Sequence, residues 1–181
     1  MEYEYNKNKI RTDLIFGFIM LLFSTFITVM IFRKMFLNLN DFHFGKIIFA
    51  LTSIILFSIL AYLFLGTSII RNKYFKLNQI EEVKIDKLTK KIIITNKKNN
   101  NKTEIDFSEV ESVELFYSWN TNSFSKDLGF SKINIKNHKK PLIITQNNIN
   151  QYHIYKLFKN KVIKNKTKFM NNLKNYNDNF C

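Results

Sequence analysis

Cysteine is nearly absent. The one residue of this type, Cys181, is the last of 181, which excludes an intrachain disulfide and any metal site built on paired cysteines. Its context is no C-a-a-X box, so it is not a prenylation signal and reads as an inert tail residue. Proline occurs once, at Pro141, and glycine four times, beside 24 Asn and abundant Lys and Ile. That is how an AT-rich coding sequence fills tolerant surface positions. Acidic residues are also scarce, 14 Asp and Glu against 28 Lys and Arg, for a net charge of +14. Composition supplies part of this excess; the other reading is an anionic partner, either an acidic lipid surface or nucleic acid.

Charge is missing altogether from two stretches. Residues 47–70 carry no formally charged side chain and lie between Lys46 and Arg71. At about 1.5 Å per residue they make a helix roughly 36 Å long, enough to cross about 30 Å of hydrocarbon with some tilt. Residues 14–32 form a second uncharged run, too long for a signal-peptide core and followed by Arg33 and Lys34 where a small-residue cleavage site would stand, so it reads as a retained span. The link, residues 33–46, is short and forces an antiparallel hairpin, with Phe36, Phe42 and Phe44 expected at headgroup level. Lys7, Lys9, Arg11, Arg71, Lys73 and Lys76 outnumber Arg33, Lys34 and Lys46 in the link, which places both termini in the cytoplasm and the chain in the inner membrane as a multi-pass protein. Gly17, Ser24 and Thr28 on the first helix, and Ala50, Ser53 and Ala61 on the second, supply the small side chains that close packing in lipid requires. Neither span holds Asp, Glu, Lys, Arg or His, which favours an anchor over a pore or transporter.

From residue 71 onward 22 Lys and Arg stand against 10 Asp and Glu, a net +12, and the apolar period changes. Ile80, Val83 and Ile85, a polar turn at Lys87 to Lys90, and the β-branched run Ile92-Ile93-Ile94-Thr95 predict a hairpin. Short strands follow at residues 104–107, 113–119, 130–135 and 141–145, separated by polar loops. Apolar residues then recur at Tyr155, Phe158, Val162, Phe169 and Leu173, which predicts one long amphipathic helix over 148–174, with Asn148 as N-cap and Gln151 completing a capping box. Tyr3 and Tyr5, alternating with Glu2 and Glu4, suit a short strand in the N-terminal tail, residues 1–13. Residues 175–181 form a second tail.

The hairpin at residues 83–94, the segment Ile105-Asp-Phe-Ser-Glu-Val-Glu-Ser-Val113, the strand ending Pro141-Leu-Ile-Ile144 and the final helix, all tethered to two spans, carry a resemblance. The chain resembles the bacterial pleckstrin-homology-like membrane proteins, in particular the YcxB-like group. The fold this implies is a two-helix transmembrane hairpin plus an α+β domain over 71–174, a bent antiparallel sheet or partial barrel with the C-terminal helix plugging one end. The segment at Glu2 to Tyr5 would add a strand. Eukaryotic pleckstrin-homology domains bind inositol phosphates beside their first hairpin loop, so the resemblance draws attention to Lys87, Lys90 and Lys91.

No catalytic motif, cofactor fingerprint or metal-ligand spacing appears. His43, His138 and His153 are scattered, and Glu109, Glu111 and Glu114 cluster at a corner where solvated carboxylates are expected. The residues expected to contact an anionic lipid surface are Arg71, Lys73, Lys87, Lys90, Lys91, Lys156 and Lys159. Trp119 and Phe124, set in a polar loop, either anchor a protein partner or close the core. The lysine run 156–168 lacks arginine and any base-reading motif, which argues against nucleic acid. The functional expectation is a non-catalytic, membrane-anchored module that binds or scaffolds another protein. The alternatives are an immunity or envelope-stress factor sequestering a toxin or membrane partner, and an anionic-lipid sensor.

Overall fold

The computed structural model describes residues 7–37, 44–118, 125–168 and 170–173. His43, Trp119, Phe124, the strand expected at residues 2–5 and the tail 175–181 lie outside these. Two compact units result, one formed by Asn6–Ile69 and the other built on Ile70–Cys181.

The first unit is a hairpin of two long apolar helices, α1 (Lys7–Leu37) and the greater part of α2 (Phe44–Ile80). Both helices outrun the uncharged stretches, because Lys and Asn tolerate helix wherever neighbouring turns already hold it. Each is apolar and long enough to span a bilayer, and almost none of its most apolar window is buried. Phe18, Leu22, Phe26, Phe49, Leu51 and Ile55 stand exposed, which water would penalise and hydrocarbon would not. Where the helices touch, the contacts run antiparallel. Phe16 stacks on Phe64 and Phe23 on Phe57, with ring centroids 5.8 and 5.7 Å apart. Ser24 Oγ and Ser58 Oγ share a hydrogen bond of 2.9 Å, and Ser68 Oγ donates to the carbonyl of Ile10 at 3.1 Å. Gly17, Ser24 and Ala61 face inward as expected. Ser53 instead donates back to Phe49 O on its own helix, as Thr25 does to Leu21 O, the usual way a lone hydroxyl is satisfied in lipid.

Gly17 marks the closest approach. A Cβ there would lie 2.7 Å from Leu65 Cγ and Cδ2 and 3.1 Å from the Leu65 amide nitrogen, so even a methyl displaces the Leu65 side chain, and a bulky side chain must push the helices apart. Gly17→Leu is therefore expected to lower the oxidative cross-linking of a Ser24→Cys/Ser58→Cys pair in membranes, in a background without Cys181, several-fold below that of Gly17.

The second unit holds two sheets and a short helix. β1 (Glu81–Asp86), β2 (Lys91–Asn96) and β3 (Lys102–Asp106) form an antiparallel sheet in that order. β4 (Val110–Ser118), β5 (Phe130–Ile135), β6 (Leu142–Thr145) and β7 (Val162–Lys168) form the other, in order β6-β5-β4-β7, with β7 parallel to β4. Alternation in β2 turns Ile92 and Ile94 inward, where they meet Val113, Leu115, Ile133, Leu142 and Ile144. The helix α3 (Gln151–Phe158) closes this core with Ile154 and Phe158, the latter edge-on to Phe107 at 4.9 Å. Full burial of such side chains contributes about 1.5–3 kcal/mol each.

A second cluster joins Ile70 and Tyr74 of α2 to Leu128, Phe130, Ile143 and Leu173. Arg71, expected at a lipid surface, is instead 1% exposed, with Nε 2.7 Å from Asp127 Oδ2 and Nη2 2.9 Å from Asp127 Oδ1. A guanidinium buried among apolar neighbours needs such a bidentate carboxylate. Beside it Tyr74 donates to Asn171 O at 2.7 Å, and Asn171 Nδ2 donates to the carbonyls of Tyr117 and Leu128. The last turns of α2 are thus part of this unit's core rather than a link leading to it.

The long C-terminal helix is the second correction. The helix stops at Phe158, a 3-10 turn covers Lys159–Lys161, and the chain then runs as β7. Val162, Ile163 and Thr167 are β-branched, and the free side of β4 offers hydrogen bonds that a solvated helix would not gain. The cap also moves: Asn150, not Asn148, accepts from Tyr152 N, and Gln151 donates to the carbonyls of Ile144 and Ile149 instead of forming a capping box.

Glu114 sits at the middle of the larger sheet, paired to Lys132 of β5 at 3.3 Å and Lys164 of β7 at 3.0 Å. Burial pushes its carboxyl up, but the two ammonium partners outweigh that and hold it below the usual value of 4.5. Because the folded state binds the proton less readily, the pairing stabilises above that pH and the contribution is lost as pH falls through the lowered native value. Glu114→Gln is expected to lose about 1 kcal/mol at pH 7 and to show a flatter acid limb in denaturant titrations between neutral and acid pH.

Candidate functional site

The strands of the second unit have two ends, and one of them collects four turns. At the β1–β2 turn, Asp86 Oδ1 accepts from Leu88 N at 2.9 Å and from Thr89 N at 3.3 Å. The Thr89 hydroxyl and these two amides hold the Asp86 carboxyl below its ordinary range, so it stays charged and fixes the turn. Lys90 closes the turn at φ 54°, and its carbonyl accepts from Phe107 N at 2.9 Å, which brings in the β3–β4 corner. Glu109 O in that corner accepts from Lys136 N at 2.9 Å, which adds the β5–β6 turn. Lys161 Nζ donates to Phe107 O at 2.7 Å and Val110 O at 2.6 Å, which ties in the 3-10 turn.

Two main-chain bonds and the Lys161 ammonium therefore gather the exposed Lys87, Lys90, Lys136, Lys139, Lys140 and Lys159 at one end. Asp86, Asp106 and Glu109 only partly offset them, and low-dielectric protein behind such a cluster focuses its positive field outward. Leu88 stands among the lysines at 95% exposure. The arrangement can attract and hold an anionic surface. Among the described residues it brings no acid, base and nucleophile together, and no group of three His, Cys, Asp or Glu among them could hold a metal ion.

The residues singled out in the sequence divide accordingly. Lys87, Lys90 and Lys159 belong to the basic end. Lys91 lies at its margin, with Nζ 2.8 Å from Glu104 Oε2. Lys156 is exposed on α3 over the ring of Tyr152. Lys73 is exposed on α2 and donates to Asn172 Oδ1. Arg71 is in the core. His138 and His153 are exposed, and Glu114 is held between two lysines.

Sequence reading missed Lys136, Lys139 and Lys140, because nothing local shows that their turn meets the first hairpin. It also missed Asp127 and Asn171. One signal for the Arg71 cluster was present: Ile70, Tyr74 and Leu77 continue an apolar helical stripe past the first charged residue. No family model matches this chain, and no match is found among curated proteins or solved structures.

Proposed function

We propose that this chain is a membrane-anchored, non-catalytic binding module with a pleckstrin-homology-like domain in the cytoplasm, and that its basic end engages an acidic face of a partner protein. The observation that carries this reading is the convergence of four sequence-distant turns on one lysine-rich surface. The two sheets with α3 over their core support the pleckstrin-homology-like assignment, although β7 departs from a pattern that ends in a helix. The charge bias around the two spans supports an inner-membrane hairpin with both termini inside. An anchored module meets its membrane partners at raised effective concentration, so modest contacts suffice. An immunity or envelope-stress factor would use the same surface.

The test is in-membrane photo-cross-linking of the full chain from a reactive residue at position 88. A discrete, salt-sensitive protein adduct is expected, and the combined change of Lys87, Lys90, Lys136, Lys139 and Lys140 to Glu should reduce it by an order of magnitude or more. An adduct that survives this reversal overturns the reading. A second reading, an anionic lipid surface, is favoured by Leu88, an apolar tip flanked by Lys87 and Lys90. It predicts that full-length protein in neutral nanodiscs captures separate vesicles containing acidic lipid, and that Leu88→Ser and the lysine reversal each abolish capture.

A further inference from the structure

One hydroxyl of the apolar hairpin is left unmet. Every serine and threonine described there has a hydrogen-bond partner: Thr52 and Ser53 donate to Ile48 O and Phe49 O of their own helix, and Ser24 shares a bond with Ser58. Tyr62, 70% exposed on α2, has no such partner among the described residues. Its ring holds the oxygen out of reach of its own backbone, so it cannot return a bond as a threonine does. About 13 Å of helix separates Tyr62 from Arg71, the first charge beyond the apolar run, and about 24 Å separates it from Lys46. Side chains lean toward the N-terminus of their helix, which carries this phenol away from the nearer boundary and toward the middle of a bilayer. It therefore stands below the headgroup level where tyrosines usually rest, and an unpaired hydroxyl in hydrocarbon is costly.

Tyr62 also belongs to a stripe. Ile48, Thr52, Ile55, Ile59, Gly66 and Ile69 complete it at alternating steps of four and three, with Gly66 half-buried and the others exposed. That repeat of 3.5 keeps one face of a helix toward a second helix along its whole length. No residue of the stripe is charged, so two copies set side by side oppose no like charges in hydrocarbon. Copies of one chain insert the same way round, so a twofold axis along the membrane normal makes the stripes parallel and brings each residue to its own counterpart. A phenol both donates and accepts, which makes Tyr62 complementary to itself. Gly66, one turn further on, lets the two backbones approach, and in lipid such close packing and hydrogen bonding drive helix association.

We propose that the chain pairs with a second copy of itself in the membrane through this stripe of α2, with the two Tyr62 hydroxyls bonded to each other across the axis. The inference rests on the same bilayer-spanning hairpin as the function proposed above and goes beyond it. A pair carries two basic ends on one anchor, which raises the effective concentration of the second once the first is engaged.

The test is disulfide mapping of the full chain in isolated membranes, with Cys181→Ser as background and cysteines introduced one at a time. Recovery of each variant in carbonate-washed membranes is measured first, so failure of the span is seen separately from failure of the pairing. Thr52→Cys, Ile55→Cys, Ile59→Cys and Ile69→Cys are expected to give oxidised dimers at several-fold higher yield than the off-stripe Phe49→Cys, Leu56→Cys and Leu60→Cys. Tyr62→Phe keeps the ring and removes only the hydroxyl, and should lower the yield from Ile59→Cys about threefold or more. Yields that ignore the stripe, adducts with other proteins alone, or a yield that Tyr62→Phe leaves unchanged because the phenol bonds to lipid, each overturn the proposal.

Discussion

Arg71→Met is expected to destabilise the sheet-bearing unit by about 3–5 kcal/mol, because it leaves the Asp127 carboxylate buried without its bidentate partner. The pair is short in both arms and the guanidinium is enclosed, so neither water nor salt screens it. For a unit of this size the loss corresponds to a drop in Tm of about 10 °C or more. Asp127→Leu should cost a similar amount for the converse reason. The double variant Arg71→Met/Asp127→Leu should recover much of the loss, since replacing both charges with apolar groups removes the desolvation penalty together with the attraction. Thermal unfolding of the four proteins in detergent measures the cycle. Simple additivity of the two single losses would mean that the pair contributes nothing as a pair.

Truncation gives the second large effect. A fragment comprising residues 70–181 is expected to unfold cooperatively, whereas one comprising residues 81–181 is expected to lack a sharp transition and to bind hydrophobic dye. Removing residues 70–80 deletes Ile70, Arg71 and Tyr74 at once. That uncovers Leu128, Phe130, Ile143 and Leu173 and leaves Asp127 buried without its guanidinium partner. It also removes the phenol that donates to Asn171 O. The lost apolar contacts alone exceed the margin of a small domain whose total stability is about 5–15 kcal/mol. Cooperative unfolding of the shorter fragment would mean that the turns of α2 past the apolar run are an ornament on the domain. Urea denaturation followed by Trp119 fluorescence and far-UV dichroism separates the outcomes.

Much of this architecture is local and was legible as such. Two uncharged runs of bilayer length dictate two long helices whatever follows them, because unpaired backbone in hydrocarbon is prohibitively costly. The strands from Glu81 to Thr145 were legible for a similar reason, since β-branched residues recur at a period of two between polar turns. Val162 to Lys168 was not. Its apolar spacing fits a helix, and the deciding fact, an open edge on β4, lies about fifty residues away in sequence. Asn148 and Gln151 likewise fit a capping box until Ile144 O claims the Gln151 amide.

Sequence alone determined that this protein is a pair of apolar helices joined to a basic, strand-rich domain, because hydropathy and side-chain period act through near neighbours. Only the tertiary structure decided that Arg71 is a core residue, that the last apolar-spaced segment is a parallel strand, and that lysines from Lys87 to Lys159 share one end. Each of those outcomes depends on which distant groups, of side chain or main chain, come within about 3 Å of one another, a condition that chain closure sets and no local pattern encodes.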